Sequence, residues 1–330
     1  MRRRHPRDAG EDLAPLTDHP DDLSFLSPPG QVADWRMMVL FDAVAGAGVF
    51  AELPGTADDL AAALGLDPHA LRVALDALRA WGIVERDDGE GRYAIGPQAP
   101  SPGATAAIRQ HARAVRRWSA SVGDRLRGVA DDRAAGTLEP EVFLDALAEA
   151  ARSTAPQVVD LCLTRFPRAR SVVDLGGCHG EHSLEFARRG LQVTMQDLPT
   201  MIEIAQRRGR LASAGVELFA GNFFEELPDG PFDLVFCAGI THTFDGDHNL
   251  ALYRRLRPIV NARGGIAVVT FLRGRQPLAD LFAVQMMVNG NGGDTHAEAD
   301  YRAWLTAAGF RVDDQPVDLP GRGQSILFAT

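Results

Sequence analysis

Hydrophobic positions recur along this chain with two periods, and the change from one to the other divides it. From residue 31 to residue 82 apolar side chains return every three or four positions, which predicts helices over 31–48, 56–65 and 69–82. Thr56 suits an N-cap with Asp59 three residues on, and Gly65 ends that helix. Short runs at 83–86 and 92–95 flank Asp87-Asp-Gly-Glu-Gly91 and read as a hairpin. The breaker cluster Ala99-Pro-Ser-Pro-Gly103 leads into further helical patterns, expected over 108–129 and 140–166. From residue 171 short β-type runs take over, at 171–175, 192–196, 216–219, 232–237, 265–271, 311–318 and 325–329. Helical patterns separate the first five, which predicts a mostly parallel, doubly wound α/β sheet. The expected organisation is a disordered tail over 1–22, a helical N-terminal module over 23–100, a helical linker or cap over 101–165 and a Rossmann-like domain over 166–330.

Composition narrows the class. The chain has 330 residues, 45% hydrophobic and 24% charged, which suits an ordinary globular protein with sizeable cores. No apolar run reaches the roughly 20 residues of a membrane helix. The basic start Met1-Arg-Arg-Arg-His-Pro-Arg7 has no apolar segment after it, so it does not read as a secretory signal. Three widely spaced cysteines form no disulfide framework or CxxC pattern, which favours a reducing cytoplasm. The helices and hairpin of residues 23–100 read as a winged helix, an otherwise all-helical module. Its third helix, the would-be recognition helix, carries only Arg72 and Arg79 beside Asp76, and the net charge is -10. Dimerisation is therefore favoured over DNA binding. Arg116, Arg117, Trp118, Arg125 and Arg127 read as a solvated helix face, or as an arginine closing over an anionic substrate.

The densest chemistry lies in Ser171-Val-Val-Asp-Leu-Gly-Gly-Cys-His-Gly180 and, about 20 residues on, Gln196-Asp-Leu-Pro199. A strand ending in an acid, a glycine-rich turn and a second acidic strand end form a nucleotide-type cofactor site. The G-x-G-x-x-G spacing is absent. Asp174, two residues before the first glycine, would repel a pyrophosphate but not a cation. S-adenosylmethionine, with its sulfonium and ammonium groups, suits this turn.

With these residues the chain resembles the class I S-adenosylmethionine-dependent methyltransferases, and most closely the small-molecule O-methyltransferases with an N-terminal winged helix. The resemblance covers about residues 23–330. It rests on Val173–Gly180, Asp197-Leu-Pro199, Gly221-Asn-Phe-Phe-Glu-Glu-Leu-Pro228, Phe232-Asp-Leu-Val235, Thr241-His-Thr-Phe-Asp245, Gly264-Gly265 and Ala308-Gly-Phe310. It implies that Gly176, Gly177 and Gly180 lie under the methionine part, near Asp174. Asp197 would bind the ribose hydroxyls, Asn222 and Phe223 would sit at the adenine, and Leu198 and Cys237 would complete the cofactor site. It also implies a homodimer through the N-terminal module. Cys178 replaces a glycine of the family, and Asn222 an aspartate.

The resemblance further implies that His242, after the fourth strand, is a general base. His296, in Gly292-Gly-Asp-Thr-His-Ala-Glu-Ala-Asp-Tyr301, departs from the family and resembles a subgroup of α-keto-acid C-methyltransferases. On that resemblance His242 and His296 would hold zinc or iron. The metal would bind a 2-oxo acid, phenylpyruvate-like or branched aliphatic, and stabilise its enolate for methylation at Cβ in natural-product or antibiotic biosynthesis. Arg127, or Arg125, would face the carboxylate. Leu144, Leu147, Phe282, Met286 and Met287 would line the side-chain pocket, with His248 a third, solvent-side histidine. Three alternatives stand beside this expectation. One is a metal-independent O-methyltransferase of a phenol with His242 as base. The others are a winged-helix regulator sensing S-adenosylmethionine, and a relative that binds the cofactor for another reaction.

Overall fold

The computed structural model describes residues 35–129, 140–289 and 293–330. The tail expected over 1–22 lies outside them. The N-terminal module runs α1 (Trp35–Gly46), α2 (Val49–Glu52), β1 (Gly55–Thr56), α3 (Ala57–Leu64), α4 (Pro68–Ala80), β2 (Val84–Arg86) and β3 (Arg92–Ile95). Thr56 Oγ1 accepts from the Asp59 N–H at 3.1 Å, and Gly65, at φ 67°, closes α3 in the left-handed region. Phe41, Leu60, Leu71, Leu75, Leu78 and Tyr93 form this module's own core. The module is not all-helical apart from its hairpin. Gly55 and Thr56 pair antiparallel with Tyr93 and Arg92, so the sheet has three strands, ordered β1-β3-β2. A two-residue strand is too short to show the alternation by which a strand is read from sequence.

The linking helices are α5 (Pro102–Leu126), α6 (Pro140–Arg152) and α7 (Ala155–Arg165). The single helix expected over 140–166 breaks at residues 153–154. Pro156 is the cause: it has no N–H, and its ring excludes the helical position of the Arg152 carbonyl, so it starts a new helix instead.

The C-terminal domain contains β4 (Ser171–Leu175), α8 (Glu181–Arg188), β5 (Gln192–Asp197), α9 (Pro199–Arg208), α10 (Arg210–Ser213), β6 (Glu217–Ala220) and β7 (Phe232–Ala238). After these come α11 (Gly246–Leu256), β8 (Val260–Thr270), β9 (Leu272–Arg273), α12 (Pro277–Asn289), β10 (His296–Ala297), α13 (Glu298–Ala307), β11 (Val317–Asp318) and β12 (Ser325–Ala329). Seven strands form one sheet, ordered β11-β12-β8-β7-β4-β5-β6. Strands β4 to β8 pair in parallel, and β12 runs antiparallel to β8. The strand expected over 311–318 shrinks to an isolated bridge at Val312 and the two residues of β11. Pro316 cannot donate to a ladder there.

Alternation along each strand feeds two cores. Val172, Leu234 and Phe236 meet Phe186 and Ile202 on one face, whereas Val173, Leu175, Val235 and Cys237 meet Leu252, Leu256 and Leu305 on the other. Each fully buried side chain of this size contributes about 1.5–3 kcal/mol. Strand order reverses around β4: the chain goes first to β5 and β6, then returns to β7 on the other side. The crevice at the carboxyl ends of β4 and β7 is thus a topological switch point, where α/β sheets bind ligands.

Candidate active site

Two acids and a tight turn form one side of this crevice. Asp174 shares the strand face of Val172, so its side chain points at α8, where Ser183 Oγ donates to Oδ2 at 2.6 Å. Burial pushes the Asp174 carboxyl up to about 7, against the Ser183 hydrogen bond. At Gly177 a Cβ would lie 2.4 Å from Met195 Cγ, so only glycine lets the turn pack on β5. Gly176 and Gly180 have φ of 63° and 75°, and between them Cys178 is held at φ 51°, the one positive φ outside glycine among the described residues. Its N–H donates to Asp197 Oδ2 at 2.7 Å, while the Leu198 N–H donates to Oδ1 at 2.7 Å. Burial raises the Asp197 carboxyl despite these two donors. Leu198 is exposed at the mouth. This cradle fits S-adenosylmethionine: a backbone turn lies between two carboxylates, each oxygen of Asp197 keeps a free lone pair for a ribose hydroxyl, and the acids suit a cation.

The other side of the crevice is aromatic and hydroxylic. A 3-10 turn, Thr241–Thr243, follows β7 and carries His242, which is 7% exposed. The His242 ring meets Phe282 edge-on at 4.8 Å, and Phe282 stacks on Phe271 at 3.8 Å. Burial first, and the nearby His296 second, bring the imidazole down to about 4, so it is neutral at physiological pH. Nδ1 is buried without a hydrogen-bond partner, as is Thr295 Oγ1. β10 pairs in parallel with β9, bringing His296 opposite Leu272 and beside the His242 turn. There His296 Nε2 lies 2.8 Å from the Phe244 carbonyl oxygen, and the Asp294 N–H donates to the His242 carbonyl at 2.9 Å.

Residues 106–311 match the O-methyltransferase domain family. The chain belongs to that family. It is an S-adenosylmethionine-dependent methyltransferase. The mitomycin biosynthesis 6-O-methyltransferase of Streptomyces lavendulae is 29% identical over 286 residues, 79% of this chain and 81% of that protein. The 3-amino-4-hydroxybenzoate 4-O-methyltransferase of Streptomyces cremeus is 28% identical over 305 residues, 83% of this chain and 79% of that protein. Among solved structures, a mitomycin 7-O-methyltransferase superposes with a TM-score of 0.70 at 23% identity, covering 89% of this chain and 94% of that one. Human N-acetylserotonin methyltransferase in complex with S-adenosylmethionine superposes at 0.69 and 21% identity, with the same coverage. Membership sets aside the regulator and the relative with another reaction.

The other expected site residues have varied surroundings. Arg127 ends α5 with its side chain 74% exposed, bonded back to the Gly123 carbonyl and to Asp124. Solvation of its charge outweighs any pull into the crevice. Cys237 is fully buried on the sheet face toward α11 and α13, away from the cofactor turn, and burial pushes its thiol far up. Asn222 Oδ1 accepts from the Phe224 N–H at 3.0 Å, capping its own turn, and Phe223 packs on Phe224 and Phe244. Leu144 lines a small cavity behind the turn with Cys178, His179 and Leu211, not the His242 side. Of the pocket residues expected from sequence, Phe282 packs its ring against His242. Met286 is buried and Met287 more exposed on the same helix. Trp118 Nε1 donates to Gln285 Oε1 at 2.5 Å, and Arg117 Nη1 donates to Asn289 Oδ1 at 2.8 Å, pinning α12 to α5. His248 is exposed and bonded to Asp245.

The metal expectation meets a poor donor set. His242 and His296 are neighbours, but His296 Nε2 is engaged by the Phe244 carbonyl. Among the described residues no group of three or more His, Cys, Asp or Glu could hold a metal ion. Two imidazoles, one already engaged, do not make a resident metal site, and no step is assigned to one. Sequence reading missed Asn249, Thr270, Phe271, Thr295 and Tyr301. A signal existed for Asn249: it occupies the apolar stripe Asn249, Leu252, Tyr253, Leu256 of α11.

Proposed function

We propose that this methyltransferase methylates a hydroxyl oxygen of a hydroxylated aromatic or enolic natural product, with His242 as the general base. The observation that carries it is a buried, neutral imidazole with an unpartnered nitrogen at the carboxyl edge of β7, opposite the cofactor turn. S-adenosylmethionine supplies an electrophilic methyl on a sulfonium. Asp197 holds the ribose, and Asp174 keeps the turn in place through α8. His242 takes the hydroxyl proton as the acceptor oxygen bonds to the methyl carbon, and the S–CH₃ bond breaks to leave a neutral thioether. A base brought down to about 4 is weak, so it works best on an acidic hydroxyl, phenol or enol, rather than an aliphatic alcohol. The named activities of the bacterial relatives, O-methylations in mitomycin biosynthesis and of a hydroxybenzoate, support a place in antibiotic-type biosynthesis.

Methylation at Cβ of a 2-oxo acid is the second reading. It is favoured by the nearness of His296 to His242, whose imidazole pKa it helps to depress, whereas the relatives' named activities favour O-methylation. One experiment separates them: incubation with ¹³C-methyl-labelled S-adenosylmethionine and a panel of hydroxybenzoates, hydroxyquinones and 2-oxo acids, read by NMR. A methyl carbon bonded to oxygen supports the first reading, and a methyl carbon bonded to carbon overturns it. His296→Ala should cost only a few-fold in the first case and abolish turnover in the second.

We also propose a homodimer through the N-terminal module, supported by the exposed apolar side chains Val73, Trp81 and Ile95 there. Sedimentation of the full chain tests it. Three unpaired cysteines support a reducing, cytoplasmic setting. No described helix is long and apolar enough to cross a membrane.

A further inference from the structure

We propose that Asn249 is a positioning residue for His242, holding the catalytic turn from both sides; the inference rests on the reading of His242 as the base. Asn249 is completely buried in the first turn of α11. The two N–H groups of its Nδ2 are shared among three carbonyl oxygens, those of Thr241 at 3.0 Å, Phe244 at 3.2 Å and Asp245 at 3.0 Å. Those carbonyls bracket His242 in the chain. Three acceptors around one nitrogen fix the amide's orientation, because the flipped form would set four oxygens together. The amide oxygen is left buried and unpartnered. Burying it so is unfavourable, and a side chain serving packing alone would not need it. The amide shapes the turn, and the turn sets where the imidazole lies.

Other contacts hold the same turn but reach only one side of His242. Thr241 Oγ1 donates to Thr270 Oγ1 at 3.2 Å, and the Tyr301 hydroxyl lies 2.9 Å from each. This closed triangle of buried hydroxyls fixes the residue before His242 to β8 and α13. On the far side the Asp294 N–H holds the His242 carbonyl. With its own Nδ1 unpartnered, His242 depends on its backbone for its aim. A base displaced by about 1 Å loses on the order of 100-fold in rate.

The test uses the full chain labelled with ¹⁵N-histidine and saturated with S-adenosylhomocysteine, with His242→Ala to assign the His242 signal. The wild type should show one narrow neutral tautomer at pH 7. Asn249→Ala should broaden or split it, and so should Asn249→Asp, which keeps the side-chain volume but, as a carboxylate, donates to none of these carbonyls. An unchanged His242 signal in either folded variant overturns the proposal, whatever the acceptor is. The kinetic arm uses the acceptor found with the labelled-methyl panel. Asn249→Ala should lower kcat about 30- to 100-fold, leave the KM for S-adenosylmethionine within about threefold, and have no further effect in a His242→Ala background. Equal losses in both backgrounds would show a merely structural role. Full activity in His242→Ala alone would instead remove the base assignment, while the imidazole spectra still decide whether Asn249 orders the ring.

Discussion

The two edges of the crevice are built on opposite plans. On the cofactor edge each acid has its donors: Asp174 takes the Ser183 hydroxyl, and Asp197 takes two backbone N–H groups. On the acceptor edge the key polar atoms lack partners, His242 Nδ1 and Thr295 Oγ1 among them, and the walls are aromatic rings. A fixed ligand is met by acids already held in place. An acceptor that differs between relatives is met by an apolar wall with polar atoms left over for it to satisfy. Unpaired buried atoms favour a ligand that pairs them, so the acceptor edge carries selectivity and the cofactor edge carries affinity.

The largest effect that tests this division is His242→Ala. Loss of a general base should lower kcat about 10²- to 10⁴-fold, while affinity for S-adenosylmethionine, measured by calorimetry, stays within about threefold. Weakened cofactor binding would show that the edges are not separate. Because the imidazole sits at about 4, kcat of the wild type should stay level from pH 8 down to about pH 5, with no inflection near 6.5. Next comes Asp197→Ala, the mirror case. Losing charge-assisted bonds to two ribose hydroxyls should weaken cofactor binding about 30- to 300-fold, with kcat at saturation little changed. A kcat loss larger than the affinity loss would place Asp197 in the reaction itself.

The same division separates what the sequence shows from what it hides. The cofactor edge is local: strand, acid, glycines and second acid follow one another within about 25 residues, and each carries a backbone or charge requirement. The sheet is legible for a similar reason, since Val172 to Leu175 and Leu234 to Cys237 alternate between two cores. The acceptor edge is assembled from a turn, a strand end, α12 and the two-residue bridge of β10 to β9. His242 and Phe282 are visible in the sequence, but not that they touch. Arg127 turns to solvent and Cys237 to the core under α11 and α13, directions that depend on the packed fold. His296 can be found as a histidine, but its bond to the Phe244 carbonyl depends on the folded loop. Asn249 is the instructive miss: a polar residue on an apolar stripe is a sign of function when its bonds go to a catalytic turn.

A third effect, smaller, concerns stability. Asp174 sits at about 7 when folded and near its ordinary 3.8 when unfolded. Between about pH 4 and 7 the folded state therefore holds a proton that the unfolded chain has lost, so Asp174 subtracts stability as pH rises through that window, with the full cost above it. Melting temperatures at pH 5 and pH 8 should fall more for the wild type than for Asp174→Asn. An equal fall in both would mean that Asp174 is not the buried acid that burial makes it.

The smallest effect is the most direct probe of the cofactor edge as a backbone site. Cys178 holds φ 51°, a conformation that costs a side-chain-bearing residue about 1–2 kcal/mol. Cys178→Gly relieves that cost, but glycine's unfolded-state freedom takes back about 0.5–1 kcal/mol. The thiol also fills space beside Leu144, His179 and Leu211, which glycine would leave empty. The net gain should stay below about 1 kcal/mol, a rise of no more than about 4 °C in melting temperature. The N–H bond from residue 178 to Asp197 survives the change, so cofactor affinity should hold or improve by about two- to fivefold as the backbone comes closer. If affinity falls instead, the thiol itself contacts the cofactor. The cofactor edge would then carry side-chain selectivity like its opposite, and the contrast between the two edges would be one of degree.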